Sequence, residues 1–202
     1  MIKAFLFCVS ACLLAGCTLL TPVTLPPMQT YTINLPGKIT ENPPPVLEQS
    51  IMVMPVLANR GFDTKAMLYQ QTPYTLAAFA QNAWIAPPAS MLTALITQSL
   101  QASHLFKAVL NSPSLASSRY TLTTTLTSLY QDFTVSPSEV VLDLNASLIN
   151  NQSNQTIAEK SFHLRLQTNR DTPYAGVTAI NQAASTLVTE LTHFVIVNVS
   201  GS

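Results

Sequence analysis

The chain has 202 residues, nine of them basic and nine acidic, so its formal net charge is zero. A charged fraction of 9% lies far below the roughly 25% of an ordinary soluble protein, and nine scattered cations offer no phosphate-binding patch, which excludes nucleic-acid recognition. Apolar residues at 48% exclude wholesale disorder. No apolar run long enough to span a bilayer follows the N-terminus, which excludes an integral membrane bundle.

Met1-Ile2-Lys3 forms a short basic start, and Ala4 to Ala15 is an apolar run of secretory length, too short to cross a bilayer. The run stops at Leu14-Ala15-Gly16-Cys17. Two small residues fit a peptidase pocket, and the thiol that follows can receive diacylglycerol. This resembles the lipobox of bacterial lipoproteins, so residues 1–16 are expected to be a signal peptide and Cys17 the lipidation site, carrying palmitate. Cys8 and Cys12 would leave with the signal. The one remaining cysteine would be acylated, leaving no disulfide, thiol nucleophile or cysteine metal site. A mature chain of about 186 residues can bury roughly 70% of its unfolded surface and needs no staple. Thr18, where an Asp would resemble an inner-membrane retention signal, points to the outer membrane.

Residues 17–29, with Pro22, Pro26 and Pro27, read as a semi-extended tether of up to roughly 35 Å. The domain proper is expected over residues 30–199. Tyr31 to Leu35 reads as a first strand and Pro36 to Gln49, with Pro43-Pro44-Pro45, as a loop. Ser50 to Val56 reads as a buried strand ended by Pro55. Met67 to Gln71 and Thr75 to Gln81 read as a strand pair around Thr72-Pro73, with Tyr74 and Phe79 expected in the core. Pro87 and Pro88 open a helix, with Met91, Leu92, Leu95, Ile96, Ser99 and Leu100 on one face. Phe106 to Leu110 is a short strand and Ser112 to Ser118 a loop.

Three long segments then alternate with period two, the mark of half-buried antiparallel strands. Tyr120, Leu122, Leu126 and Tyr130 oppose Thr121, Thr123, Thr125 and Thr127. Val140, Leu142, Leu144, Ala146 and Leu148 oppose Asp143, Asn145 and Ser147. Ala158, Phe162, Leu164 and Leu166 oppose Glu159, His163 and Arg165. Thr172 caps a last helix with Pro173 at its first position. Its apolar stripe is Val177, Ile180, Ala184, Leu187, Val188, Leu191 and Phe194, and the β-branched tail Val195 to Val199 is expected to fray. The fold class is therefore α/β: one layered domain, a mixed sheet with long antiparallel strands, and two principal helices.

Catalytic signals are missing. His104, His163 and His193 show no metal-ligand spacing, and no Gly-x-Ser-x-Gly elbow occurs. Gly37, Gly61 and Gly176 are too scattered for a phosphate cradle. Asp63, Asp132, Asp143 and Asp171 read as isolated surface or turn residues. No cofactor is expected, and an envelope-tethered hydrolase is the weakest of the function classes. Trp84, the sole tryptophan, stands before Pro87-Pro88. With those prolines it is a candidate docking anchor; its weightier reading is packing over the helix start. The Thr121 to Thr127 face is expected to be wet, with pairing to a second copy, a homo-oligomer, as the alternative.

One stretch carries a family resemblance. It runs from Gly61-Phe62-Asp63-Thr64-Lys65 and Leu68-Tyr69-Gln70 through Trp84-Ile85-Ala86-Pro87-Pro88 to Ser103-His104-Leu105-Phe106-Lys107-Ala108-Val109. With Tyr31-Thr32-Ile33 and the closing helix it resembles the ABC-type transport auxiliary lipoprotein component family, which includes paraquat-inducible protein C-like lipoproteins. Ala66-Met67 and the apolar tail after Phe194 depart from the family pattern. The resemblance implies a fold like the N-terminal domain of the translocation protein TolB. It also implies a non-enzymatic role at the periplasmic face of the outer membrane, beside a lipid transporter whose periplasmic partner carries mammalian-cell-entry domains. A lipoprotein assisting lipopolysaccharide or barrel assembly is the alternative.

Overall fold

The computed structural model describes residues 26–34 and 47–200; Cys17 and most of the expected tether lie outside the described residues. The strands are β1 (Gln29–Tyr31), β2 (Leu47–Val53), β3 (Leu57–Ala58), β4 (Ala66–Gln70), β5 (Ala77–Trp84), β6 (Phe106–Asn111), β7 (Tyr120–Asp132), β8 (Glu139–Asn150) and β9 (Gln155–Gln167). Helix α1 (Pro88–Ala102) joins β5 to β6, and α2 (Pro173–Ser200) closes the described chain.

All nine strands belong to one mixed sheet whose spine is β7. On one edge β7 pairs antiparallel with β8, and β8 with β9. On its other edge β7 receives three strands end to end, all parallel: β2 at Ile51↔Tyr120, β3 at Leu57↔Thr125 and β4 at Tyr69↔Gln131. Outside β2 lies β6, parallel; outside β4 lies β5, antiparallel, and then β1, parallel to β5. Pro55 has no N–H to give a ladder, and β2 stops at Val53. The Thr93 hydroxyl of α1 instead accepts the Val56 N–H at 2.9 Å, and pairing with β7 resumes at Leu57.

Both helices pack on one face. Helix α2 lies on β8 and β9 and against α1, which lies on β6 and β2. Leu92, Leu95, Ile96 and Leu100 of α1 meet the alternating Leu122, Leu126, Leu142, Leu144 and Leu148 in one buried cluster. The whole predicted stripe of α2, from Val177 to Phe194, is buried there too.

Several expectations are corrected. The first strand ends at Tyr31, because the following backbone is satisfied by a helix: Asn181 of α2 accepts from the Asn34 N–H at 2.7 Å and donates to the Thr32 carbonyl at 3.2 Å. Tyr130 leaves the core face. A bulge between Leu126 and Ser128 inserts Thr127 and reverses the phase, so Leu129 and Gln131 are buried instead; one extra residue flips all side chains beyond it. Tyr74 is fully exposed rather than core, at a positive φ of 69°, and Phe79 is half-buried. The tail Val195 to Val199 stays helical, since burial of Val195 and Val199 outweighs the modest helix penalty of β-branching.

At its N-terminus α2 approaches β7 closely. The Thr172 hydroxyl caps by accepting the Ala175 N–H at 3.3 Å, and Pro173 begins the helix. A Cβ on Gly176 would stand 2.3 Å from Gln131 Oε1. Buried Gln131 donates to the Ser138 hydroxyl at 2.9 Å and to the Thr172 carbonyl at 3.3 Å. Ser138 is paired with the Thr168 hydroxyl at 2.7 Å and gives its N–H to Asp171 at 2.7 Å.

Candidate docking surfaces

The Trp84 to Pro88 turn is the first candidate for partner contact. Its backbone is fixed from both sides: Trp84 N–H donates to the Lys65 carbonyl at 2.8 Å and Ile85 N–H to the Tyr31 carbonyl at 2.8 Å. Trp84 itself is only 2% exposed. With Met67, Leu129, Gly176 and Ile180 it lines an internal void of about 10 Å³, so the indole packs toward the start of α2 and presents no anchor to a partner. Pro88, inside α1, is buried as well. Pro87 precedes the helix, half-buried, on the wall of an open groove of about 410 Å³ shared with Pro55, Leu57, Ala58 and Ser90. Next to it Ile85 is exposed. The turn therefore offers Pro87 and Ile85, not Trp84, to the outside; the alternation of β5 turns the tryptophan inward.

The sheet face opposite the helices carries the polar partners of the alternation. Its Thr121 and Thr123 side chains are half-buried and hydrogen-bonded to Asn151 and to the Ser147 carbonyl. Asp143 sits here, and it is not isolated. Arg165 grips it with both nitrogens, at 2.7 Å and 3.1 Å, and His163 Nδ1 lies 3.0 Å away. Burial opposes the charge on Asp143, but the hydrogen bonds from Arg165 and His163 prevail and hold the carboxyl below its ordinary range. The same pair raises the Arg165 pKa. Burial, followed by the charge of Asp132, pushes the Tyr130 phenol up. A carboxylate so held stays ionised at neutral pH and is poorly suited to general acid work. The partners of Asp143 lie 20 and 22 residues away in sequence, on the neighbouring strand, where a scan for short motifs does not reach.

His104, in the turn after α1, and His193, on α2, are exposed. Among the described residues no group of three or more His, Cys, Asp or Glu side chains is arranged to hold a metal ion. No helix among them is long and apolar enough to cross a membrane. An open groove of about 600 Å³ lies on the outer side of α2, lined by Asn34, Tyr174, Val177, Asn181, Gln182 and Ser185. Val177 and the Tyr174 ring contribute apolar surface to it, and the amides and hydroxyls stand around them.

Residues 31–192 match the family model described as ABC-type transport auxiliary lipoprotein component. Among curated proteins none matches the sequence. Among solved structures, the protein XCC0632 from Xanthomonas campestris, of the family DUF330, is 21% identical and superimposes with a TM-score of 0.77, covering 86% of this chain and 98% of its own. The hypothetical protein CT253 from Chlamydia trachomatis is 10% identical with a TM-score of 0.53, covering 77% of this chain and all of its own. At these identities the likeness is one of fold.

Proposed function

This chain belongs to the ABC-type transport auxiliary lipoprotein component family, and from that premise we propose that it is the lipid-anchored, non-enzymatic accessory of a transporter that moves lipid across the periplasm. The observation that carries the reading is the coincidence of two signals: Leu14-Ala15-Gly16-Cys17 at the end of the apolar run, and a family match over nearly all of the remaining chain. In this reading residues 1–16 are removed, Cys17 is acylated, residues 17–29 are the tether, and residues 30–199 are the working domain. Thr18 supports the outer membrane, and a periplasmic protein with mammalian-cell-entry domains is the proposed partner. The groove beside Pro87 is the part of the expected docking turn that remains open for it. Anchoring raises effective concentration, so a weak interface would suffice.

The test is Cys17→Ala together with a secreted form starting at Thr18. Both are expected to fold, lose palmitate labelling, leave the outer-membrane fraction and fail to restore the envelope's resistance to detergent. Full complementation by the soluble form at native expression overturns the anchoring argument. Co-purification of the acylated protein with a β-barrel rather than with a mammalian-cell-entry protein would favour the assembly alternative.

A further inference from the structure

The β8–β9 turn at one end of the sheet and the β4–β5 and β7–β8 turns at the other are chemically unlike. At one end the β8–β9 turn reads Asn150-Asn151-Gln152-Ser153-Asn154-Gln155, wholly polar. At the other end two turns lie side by side, tied by β4–β7 pairing at Gln70↔Asp132 and by the Phe133 N–H donating to the Gln70 carbonyl at 2.8 Å. These are residues 71–76 and 133–137, and neither contains a charged side chain. They expose Tyr74, Leu76 and Val135 above half-buried Tyr69, Phe79 and Phe133, whose rings are 4.5 to 6.2 Å apart.

The tip holding Tyr74 is built, not frayed. The Thr75 N–H donates to the Thr72 carbonyl at 3.2 Å and the two hydroxyls lie 2.6 Å apart. With Pro73 second and a positive φ at Tyr74, this follows the type II turn pattern, whose third place normally takes Gly or Asn. A tyrosine there is strained, and the strained backbone holds its ring entirely in solvent.

The chain's own direction says what faces this end. Strand β1 runs parallel to β5 with Gln29 opposite Asn82, so residues before Gln29 leave the sheet toward the Tyr74 tip. Five residues of β5 separate that register point from Ala77, about 17 Å at strand spacing. Twelve residues separate Gln29 from Cys17, a reach of up to roughly 35 Å. The N-terminal end of β1 thus faces the end of the sheet that carries the two turns, and the stretch from Gln29 to Cys17 is long enough to reach beyond it. Tyr74 beside Leu76 and Val135, in turns that carry no charge of their own, suits the interfacial zone of a bilayer.

We propose that the paired turns carrying Tyr74, Leu76 and Val135 rest in the interface of the same bilayer that the Cys17 lipid enters, so that the domain stands on the membrane in one orientation. This rests on the lipoprotein reading. Asp132, Glu139, Arg170 and Asp171 are also at this end; Asp132 is already engaged by Thr134 and Asp171 by Ser138.

The test uses the full acylated chain in vesicles of phosphatidylethanolamine and phosphatidylglycerol. An environment-sensitive fluorophore is attached at Leu76→Cys or, at the polar end, at Ser153→Cys. Expected is a blue-shifted emission, quenched by nitroxide-bearing lipids, at 76 and an aqueous, unquenched signal at 153. Tyr74→Asp with Val135→Asp is expected to abolish the quenching at 76 while vesicle flotation persists. A floating protein with an aqueous probe at 76, or equal quenching at both ends, overturns the orientation and leaves the anchor standing. A chain that fails to float removes the anchor, and the proposal with it.

Discussion

Replacing Gly176 with Ala measures how tightly α2 is set onto β7. The new Cβ would lie 2.3 Å from Gln131 Oε1 and 2.8 Å from its Cδ, so the Gln131 amide must move by roughly an ångström to regain van der Waals contact. Gln131 is 2% exposed and cannot move into water. Its Nε2 would lose the bonds to the Ser138 hydroxyl and Thr172 carbonyl; the carbonyl admits only a donor, so the amide cannot simply turn over. A buried amide left unsatisfied costs about 1–3 kcal/mol. Against this, Ala is better than Gly in a helix by up to about 1 kcal/mol. The net is a loss of up to about 2 kcal/mol, or up to roughly 8 °C in Tm for a domain of this size. Thermal unfolding followed by circular dichroism reads it, alone and in a Gln131→Ala background. With Gln131 truncated the clash disappears and Gly176→Ala should be neutral or stabilising. If Gly176→Ala is as stable as wild type while Gln131 is present, the close approach does not hold the helix as argued.

Asp143 gives a pH prediction. Its carboxyl is held below the ordinary range in the folded state, so its contribution is present above the unfolded value of about 3.9 and is lost as pH falls through the folded one. Asp143→Asn should cost about 1–2 kcal/mol at neutral pH, the Arg165 and His163 sides being partly wet, and urea midpoints of wild type and variant should converge on acidification; parallel curves would refute this. Trp84→Ala, emptying a buried indole site, should destabilise by about 3–5 kcal/mol, measured by urea unfolding, whereas Ile85→Ala should cost under about 1 kcal/mol. Tyr74→Gly relieves a left-handed backbone worth about 1–2 kcal/mol against a Gly entropy penalty of about 0.5–1 kcal/mol. Stability should therefore hold or rise slightly, and a clear drop in Tm would show that the ring packs on something.

The features legible from the sequence are those with a local cause. Period-two alternation located β7, β8 and β9, and prolines 87–88 and 173 located both helix starts, because one residue's geometry decides each of these. What escaped depends on neighbours distant in sequence. The three strands laid end to end along β7 are parallel pairings that leave no local pattern. The insertion of Thr127 is invisible to an alternation count, since Tyr130 is apolar enough to sit on either face. The tail Val195 to Val199 reads as frayed by propensity, yet Val195 and Val199 are buried, and tertiary burial wins.

The site was less legible than the fold, for a physical reason. A docking surface is made of what folding leaves outside, while composition mainly reports what it takes inside. The large aromatics illustrate this. Trp84, the residue type most enriched at hot spots, went to the core because β5 alternation aims it there. Tyr74, expected in the core on hydrophobicity, came out because it occupies the third place of a Pro-containing turn. Thr72-Pro73-Tyr74-Thr75 could have revealed this in the sequence: a turn rule that predicts Gly or Asn and meets Tyr marks a position where conformational cost is tolerated for exposure. Asp143 needed the register of β8 against β9, which places it opposite His163 and lets Arg165 reach across. Exposure of Tyr74 and burial of Trp84 thus follow from backbone geometry at two adjoining elements, the β4–β5 turn and the far end of β5. The same strand that hides the indole also fixes β1 beside it, and so sets which end of the sheet the N-terminus of β1 faces.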